Sequence, residues 1–329
     1  MAKREDTMRM VIIGSLAICL LLTDAGYGAA PPHPLRQNPT PPKVSTAFQA
    51  EVARLAAQGL KLKEAMEASL EDGWQHLIAI FERPQPKEFN EANELRILES
   101  DGRAAKTIFR RPEFSFSFGF DSADGLSKLS GTDINGDSIK EVIVQSSSGG
   151  NCWSCNPTEI YRVKNHQAEL IAVGPMQRVT DLDGDGRVEL IVTDARWEGY
   201  DDFSHAAAPA AVIVYRWKDG KYVYACADFA AFYQQEAQRR RTQVQTSKPD
   251  SGAEGADDFY LGAALSLAIT YAHMGQIEQG LKELDAILKA NTLSAEQAAR
   301  RRTIWADFHQ GESFQKLRAM KYGDAMPLD

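Results

Sequence analysis

The 329-residue chain is short of several things whose absence narrows its function. Lysine and arginine number 37 against 45 aspartates and glutamates, a formal net charge of -8. The basic surplus that phosphate neutralisation demands is therefore missing, and nucleic acid is not an expected partner. Long apolar runs are missing too, because the longest, residues 10–22, falls short of the roughly 20 residues a spanning helix needs. No nucleophile elbow, phosphate loop, zinc-type histidine spacing or dinucleotide fingerprint is present. Enzyme classes that announce themselves in sequence are thus disfavoured, and no catalytic residue is assigned. What remains, 43% hydrophobic and 25% charged residues, is ordinary globular composition. The length allows two or three units with real cores.

Lys3, Arg4 and Arg9 precede the apolar run, and Ala25, Gly26, Gly28, Ala29 and Ala30 follow it. That layout predicts a secretory signal peptide over 1–30, export to the periplasm or beyond the cell, and no stable membrane span after cleavage. A proline-rich tether over 31–43 comes next. Cleavage removes Cys19 and leaves Cys152, Cys155 and Cys226. In an exported chain one structural disulfide and one spare thiol are expected, with the pairing left open. The Cys152–Cys155 pair follows a Ser/Gly-rich stretch and leads into a strand, not a helix start, which argues against redox chemistry.

Three segments follow. Residues 44–83 read as helical, with Phe48, Val52, Leu55, Leu60, Leu62, Met66 and Leu70 near one face and an apolar cluster from Trp74 to Phe81. A β domain is expected over 88–227, where strands rich in β-branched and aromatic residues are divided by Gly, Asp, Asn and Ser. Residues 228–329 return to helix. Inside the β domain the chain repeats: GTDINGDSIKEVIV from Gly131 matches VTDLDGDGRVELIV from Val179, and Tyr161–Arg162 matches Tyr215–Arg216.

The repeated loop carries the clearest chemistry. Asp181, Asp183, Asp185 and Glu189 stand at positions 1, 3, 5 and 9, with the carbonyl of Arg187 at position 7. Hard oxygen donors alternating along a tight turn converge on one point, and clustered carboxylates repel unless a cation sits among them, so Ca²⁺ is the expected cofactor. An EF-hand would need Glu at position 12, which is Val192. The first copy offers Asp133, Asn135, Asp137, Glu141 and the Ile139 carbonyl, with Ser138 in place of the second glycine and Lys140 nearby, and is expected to bind more weakly.

These two loops and their following strands resemble the FG-GAP or VCBS-type repeats of integrin-like β-propellers and secreted bacterial proteins, over roughly residues 110–227. The resemblance implies structural calcium held by the residues just named. Two clear copies, with a degenerate one before Asp133 as a further candidate, are too few for a closed propeller, so the expected fold is α+β and multidomain. In it a small antiparallel β-repeat domain, propeller-blade-like or sandwich-like, is flanked by N-terminal helices and a C-terminal helical hairpin domain. The β unit would be closed by those helices or by another copy of the chain.

Residues 261–288 resemble a tetratricopeptide repeat through Leu267, Ala268, Tyr271, Gly275, Gly280, Leu284 and Leu288, although Gly280 stands where that family usually has alanine. The arginine runs 239–241 and 300–302 read as solvated helix faces. Function is expected to be non-catalytic, as a calcium-binding module for a protein or glycan partner. The alternative is a hydrolase acting through the loop 197–205, where Trp197, Tyr200, Asp201, Asp202, Phe203 and His205 gather with Trp153.

Overall fold

The computed structural model describes residues 42–86, 88, 91–118, 129–247, 256–289, 295–319 and 323–328. Two units are present, Met1–Thr40 and Pro41–Asp329. The first, with the expected leader and nearly all of the tether, lies outside the described residues.

The second unit is α+β. Helix α1 (Thr46–Ala57) leads into a first sheet of β1 (Lys61–Ala68), β2 (Gln75–Glu82), β3 (Asn93–Ser100) and β4 (Ala105–Glu113). A second sheet holds β5 (Ser115–Ser117), β6 (Glu141–Ser147), β7 (Thr158–Lys164) and β8 (Gln167–Gly174), and a third holds β9 (Met176–Thr180), β10 (Glu189–Thr193), β11 (Val212–Lys218) and β12 (Lys221–Tyr224). Each is a four-stranded antiparallel meander in which sequence neighbours pair. Helices α2 (Ala230–Thr246), α3 (Ala256–His273), α4 (Ile277–Lys289), α5 (Ala295–Gln310) and α6 (Glu312–Ala319) complete the chain.

Alternation along the strands sets the layering. On β2, Leu77, Ala79 and Phe81 cluster with Phe48 and Leu55 of α1. Ile78 and Ile80 turn the other way, to Val142, Val144, Tyr161 and Val163 of the second sheet. Ile143 and Ile160, on the opposite face of that sheet, join the third sheet, and Phe229 and Tyr233 at the start of α2 close the same core. The sheets therefore stack face to face between helical caps, and each inner strand is buried on both sides.

Double burial is why residues 61–82 are a hairpin and not the helix their pattern predicts. Among the residues read as helical, only 46–57 form one. The run from His76 to Phe81 is buried throughout, and a continuous apolar run has no period to separate strand from helix. The β region accordingly begins at Lys61, well before residue 88.

At the C-terminal end α3 and α4 form the expected hairpin. Gly280 has a packing reason: a Cβ there would stand 2.7 Å from the Ala268 carbonyl of α3, so even alanine is excluded. The arginine runs are paired with acids, as Arg239 is with Glu236, Arg241 with Glu283 and Arg300 with Asp201. Arg240 and Arg301, however, are buried, Arg240 donating to the Ala210 carbonyl and Arg301 to Asp257.

Candidate metal centre

Both repeated loops sit where the chain enters the second strand of a meander, and they close by the same hydrogen bonds. Asp181 accepts from the amides of Gly184 at 2.7 Å and Gly186 at 3.0 Å. Asp133 accepts from Gly136 at 2.7 Å and Ser138 at 2.8 Å. Next, Asp183 takes the Asp185 amide and Asp185 the Arg187 amide, as Asn135 takes Asp137 and Asp137 takes Ile139. Finally Glu189 accepts the Leu182 amide at 2.8 Å and Glu141 the Ile134 amide at 2.9 Å. This collar requires a left-handed backbone at its fourth and sixth positions; at the sixth, Gly186 adopts φ 84° and Ser138, without glycine's freedom, φ 67°.

The collar gathers acids. Oxygens of Asp181, Asp183 and Glu189 all lie within 4.8 Å of one another, as do those of Asp133, Asp137 and Glu141. Asp185 stands slightly apart, one oxygen 3.8 Å from Arg216. Glu141 and Glu189 are buried at the strand starts. Burial, with the charges of Asp137 and Asp133 added, pushes Glu141 up to about 8. The same combination with Asp183 and Asp185 pushes Glu189 up to about 7. A dication among these oxygens removes that repulsion, and a donor set made only of carboxylate, amide and carbonyl oxygen suits a hard ion.

Sequence reasoning missed the counter-charges. Glu141 pairs in register with Arg162, and the 190–215 pairing places Glu189 beside Arg216. Arg216 reaches Asp183 at 2.8 Å and Arg162 reaches Asp137 at 3.4 Å. The alignment of Arg162 with Arg216 contained this signal, but nothing in it says that they face the acids. Lys140, expected to weaken the first loop, instead turns away and donates to the Ser69 carbonyl.

The first sheet, which precedes Asp133, repeats the arrangement in degenerate form. In the first sheet His76 is paired with Glu99 and accepts the Leu70 amide through Nδ1 at 3.3 Å. His76 thus stands where Glu141 and Glu189 stand, and Glu99 where the arginines stand. The three loops line one rim: Lys140 joins the second to the first, and the Val188 amide donates to the Ile134 carbonyl between the second and third at 2.7 Å.

At the other rim the aromatic loops do come together, but inward. Trp197 is buried and stacks on Phe308 at 5.6 Å, and Phe203 is buried under Arg300. The Trp153 amide and Ser154 hydroxyl donate to Glu198, which also pairs with His205 at 3.0 Å. An exposed aromatic platform is therefore not formed. Cys152 is bonded to Cys155 and Cys226 is a buried thiol, which resolves the open pairing. Among the described residues no helix is long and apolar enough to cross a membrane. No protein-family model, curated protein or solved structure matches the chain.

Proposed function

We propose that the protein is an exported, non-catalytic calcium-binding repeat protein. Its stacked sheets form a rigid module for a protein or glycan partner. The observation that carries the calcium part is the duplicate collar: two loops with different sequences repeat one hydrogen-bond pattern and each draws three acids within 4.8 Å. Asp181, Asp183, Asp185 and Glu189 would hold one ion with the Arg187 carbonyl. Asp133, Asn135, Asp137 and Glu141 would hold the other with the Ile139 carbonyl. The three-meander stack adds to the likeness with FG-GAP and VCBS-type repeats. Each ion would fix the entry of β6 or β10, and so hold the rim on which the loops touch.

Thermal unfolding with calcium and with chelator tests this. Calcium should raise the midpoint, Asp181→Ala should remove part of the rise, and Asp133→Ala with Asp181→Ala should remove all of it. A midpoint indifferent to chelator contradicts the proposal.

A further inference from the structure

The first sheet has lost the calcium loop but not a cluster of ligand atoms. Where the other sheets put a buried glutamate opposite an arginine, it puts a buried histidine opposite a glutamate, His76 against Glu99. Glu71, from the shortened loop, and His166, from the two-residue turn between β7 and β8, complete the group. Single ligand atoms of Glu71, Glu99 and His166 lie within 4.8 Å of one another. We propose that these three residues form a metal site for a transition-metal dication of the zinc type.

The geometry is built, not incidental. Asn165 and His166 both adopt left-handed backbone, at φ 53° and 62°, and their amides donate to the two oxygens of Glu71 at 3.1 and 3.2 Å. That turn aims His166 Nδ1 at Glu99 Oε2, 2.9 Å away, and within 3.8 Å of Glu71 Oε2. Lys106 holds the other Glu99 oxygen at 2.8 Å, leaving Oε2 to face the cluster. His166 is 43% exposed on its side chain and Glu71 27%, which gives an ion a way in.

A second, independent feature points to a missing ligand. His76 is fully buried, and its Nε2 has no hydrogen-bond partner. Because Nδ1 accepts the Leu70 amide, the proton of the neutral ring is on Nε2, which points into the cluster 3.9 Å from Glu99 Oε2. A buried N–H left without an acceptor is costly. An oxygen ligand completing the coordination of a metal held by Glu71, Glu99 and His166 is the acceptor it lacks. Donors of this kind orient metal ligands in general, so His76 is a positioning residue. Imidazole with two carboxylates favours zinc-like ions, whereas calcium takes oxygen throughout. The ligands come from three separate strands and turns, which is why no histidine spacing betrays them.

Zinc titration of the full chain in saturating calcium tests the site apart from the calcium loops. One zinc equivalent is expected. His166→Ala and Glu99→Gln should weaken it more than tenfold, His76→Gln about tenfold, and the double variant Asp133→Ala/Asp181→Ala not at all. X-ray absorption should find one imidazole among oxygens. Zinc binding that survives His166→Ala, disappears with the Asp133/Asp181 pair, or is absent from the intact protein overturns the proposal. If the ligand variants do not fold, Trp74 reports instead, since its ring centroid is 4.7 Å from that of His166. Zinc should change the fluorescence of the intact protein, and Trp74→Phe should abolish the change while keeping the stoichiometry. A change that persists in Trp74→Phe places the ion elsewhere.

Discussion

Replacing His273 with glutamine should uncouple the helices from the third sheet in a pH-dependent way. His273 ends α3, is buried, and places Nε2 3.3 Å from Asp194 Oδ2 and Nδ1 3.0 Å from the Tyr224 hydroxyl. Burial alone would push the imidazole down, but the bond and charge of Asp194, together with Cys226, outweigh it and raise His273 to about 9. Asp194, against its own burial, is held well below the usual carboxylate range by His273 and Arg196. A cation whose folded value exceeds its unfolded value stabilises fully below the unfolded value, about 6.5, and loses that contribution as pH rises through 9. The linked free energy is about 3 kcal/mol. Urea unfolding of the protein and of His273→Gln should therefore differ in pH slope between about 6.5 and 9. Glu141 and Glu189 titrate in part of the same window, so the histidine's share is read from the difference between the two proteins at each pH. Asp194 keeps Arg196 and the Trp197 indole as partners in the variant, so its carboxylate is not stranded. A difference that stays constant from pH 6 to 10 would refute the buried ion pair.

Ser138→Gly should relieve the left-handed strain at that position, stabilising by about 1 kcal/mol and tightening calcium at the first loop, while Gly186→Ala should cost about 1 to 2 kcal/mol and weaken the second. Urea midpoints and calcium titrations of the two variants check the opposite signs. Phe48→Ala, in the cluster that holds α1 on the first sheet, should cost about 3 to 5 kcal/mol in denaturant unfolding. A loss below about 1 kcal/mol would mean that α1 does not cap the stack.

The repeated acidic loops are legible in the sequence because their chemistry is local: alternating oxygens, a turn and the start of a strand sit within nine residues. The first sheet is hidden for two physical reasons. Burial on both faces erased the strand period of β2, and the exchange of Glu–Arg for His76–Glu99 erased the acidic signature while the backbone kept its place. Loop aromatics such as Trp197 and Phe203 carry no mark of direction in sequence, so a cap on the core and a recognition surface stay alternatives until contacts with α3 and α5 decide for the cap. Arg240 and Arg301 look like surface residues until the carbonyl and carboxylate that bury them are known. The disulfide was undecided for the opposite reason, since three cysteines allow three pairings and only distance selects one.

Calorimetric titration of calcium into the metal-free protein tests the central claim most directly. Two equivalents should bind, the tighter lost in Asp181→Ala and the weaker in Asp133→Ala. The absence of saturable heat, or a stoichiometry that neither substitution changes, would contradict it.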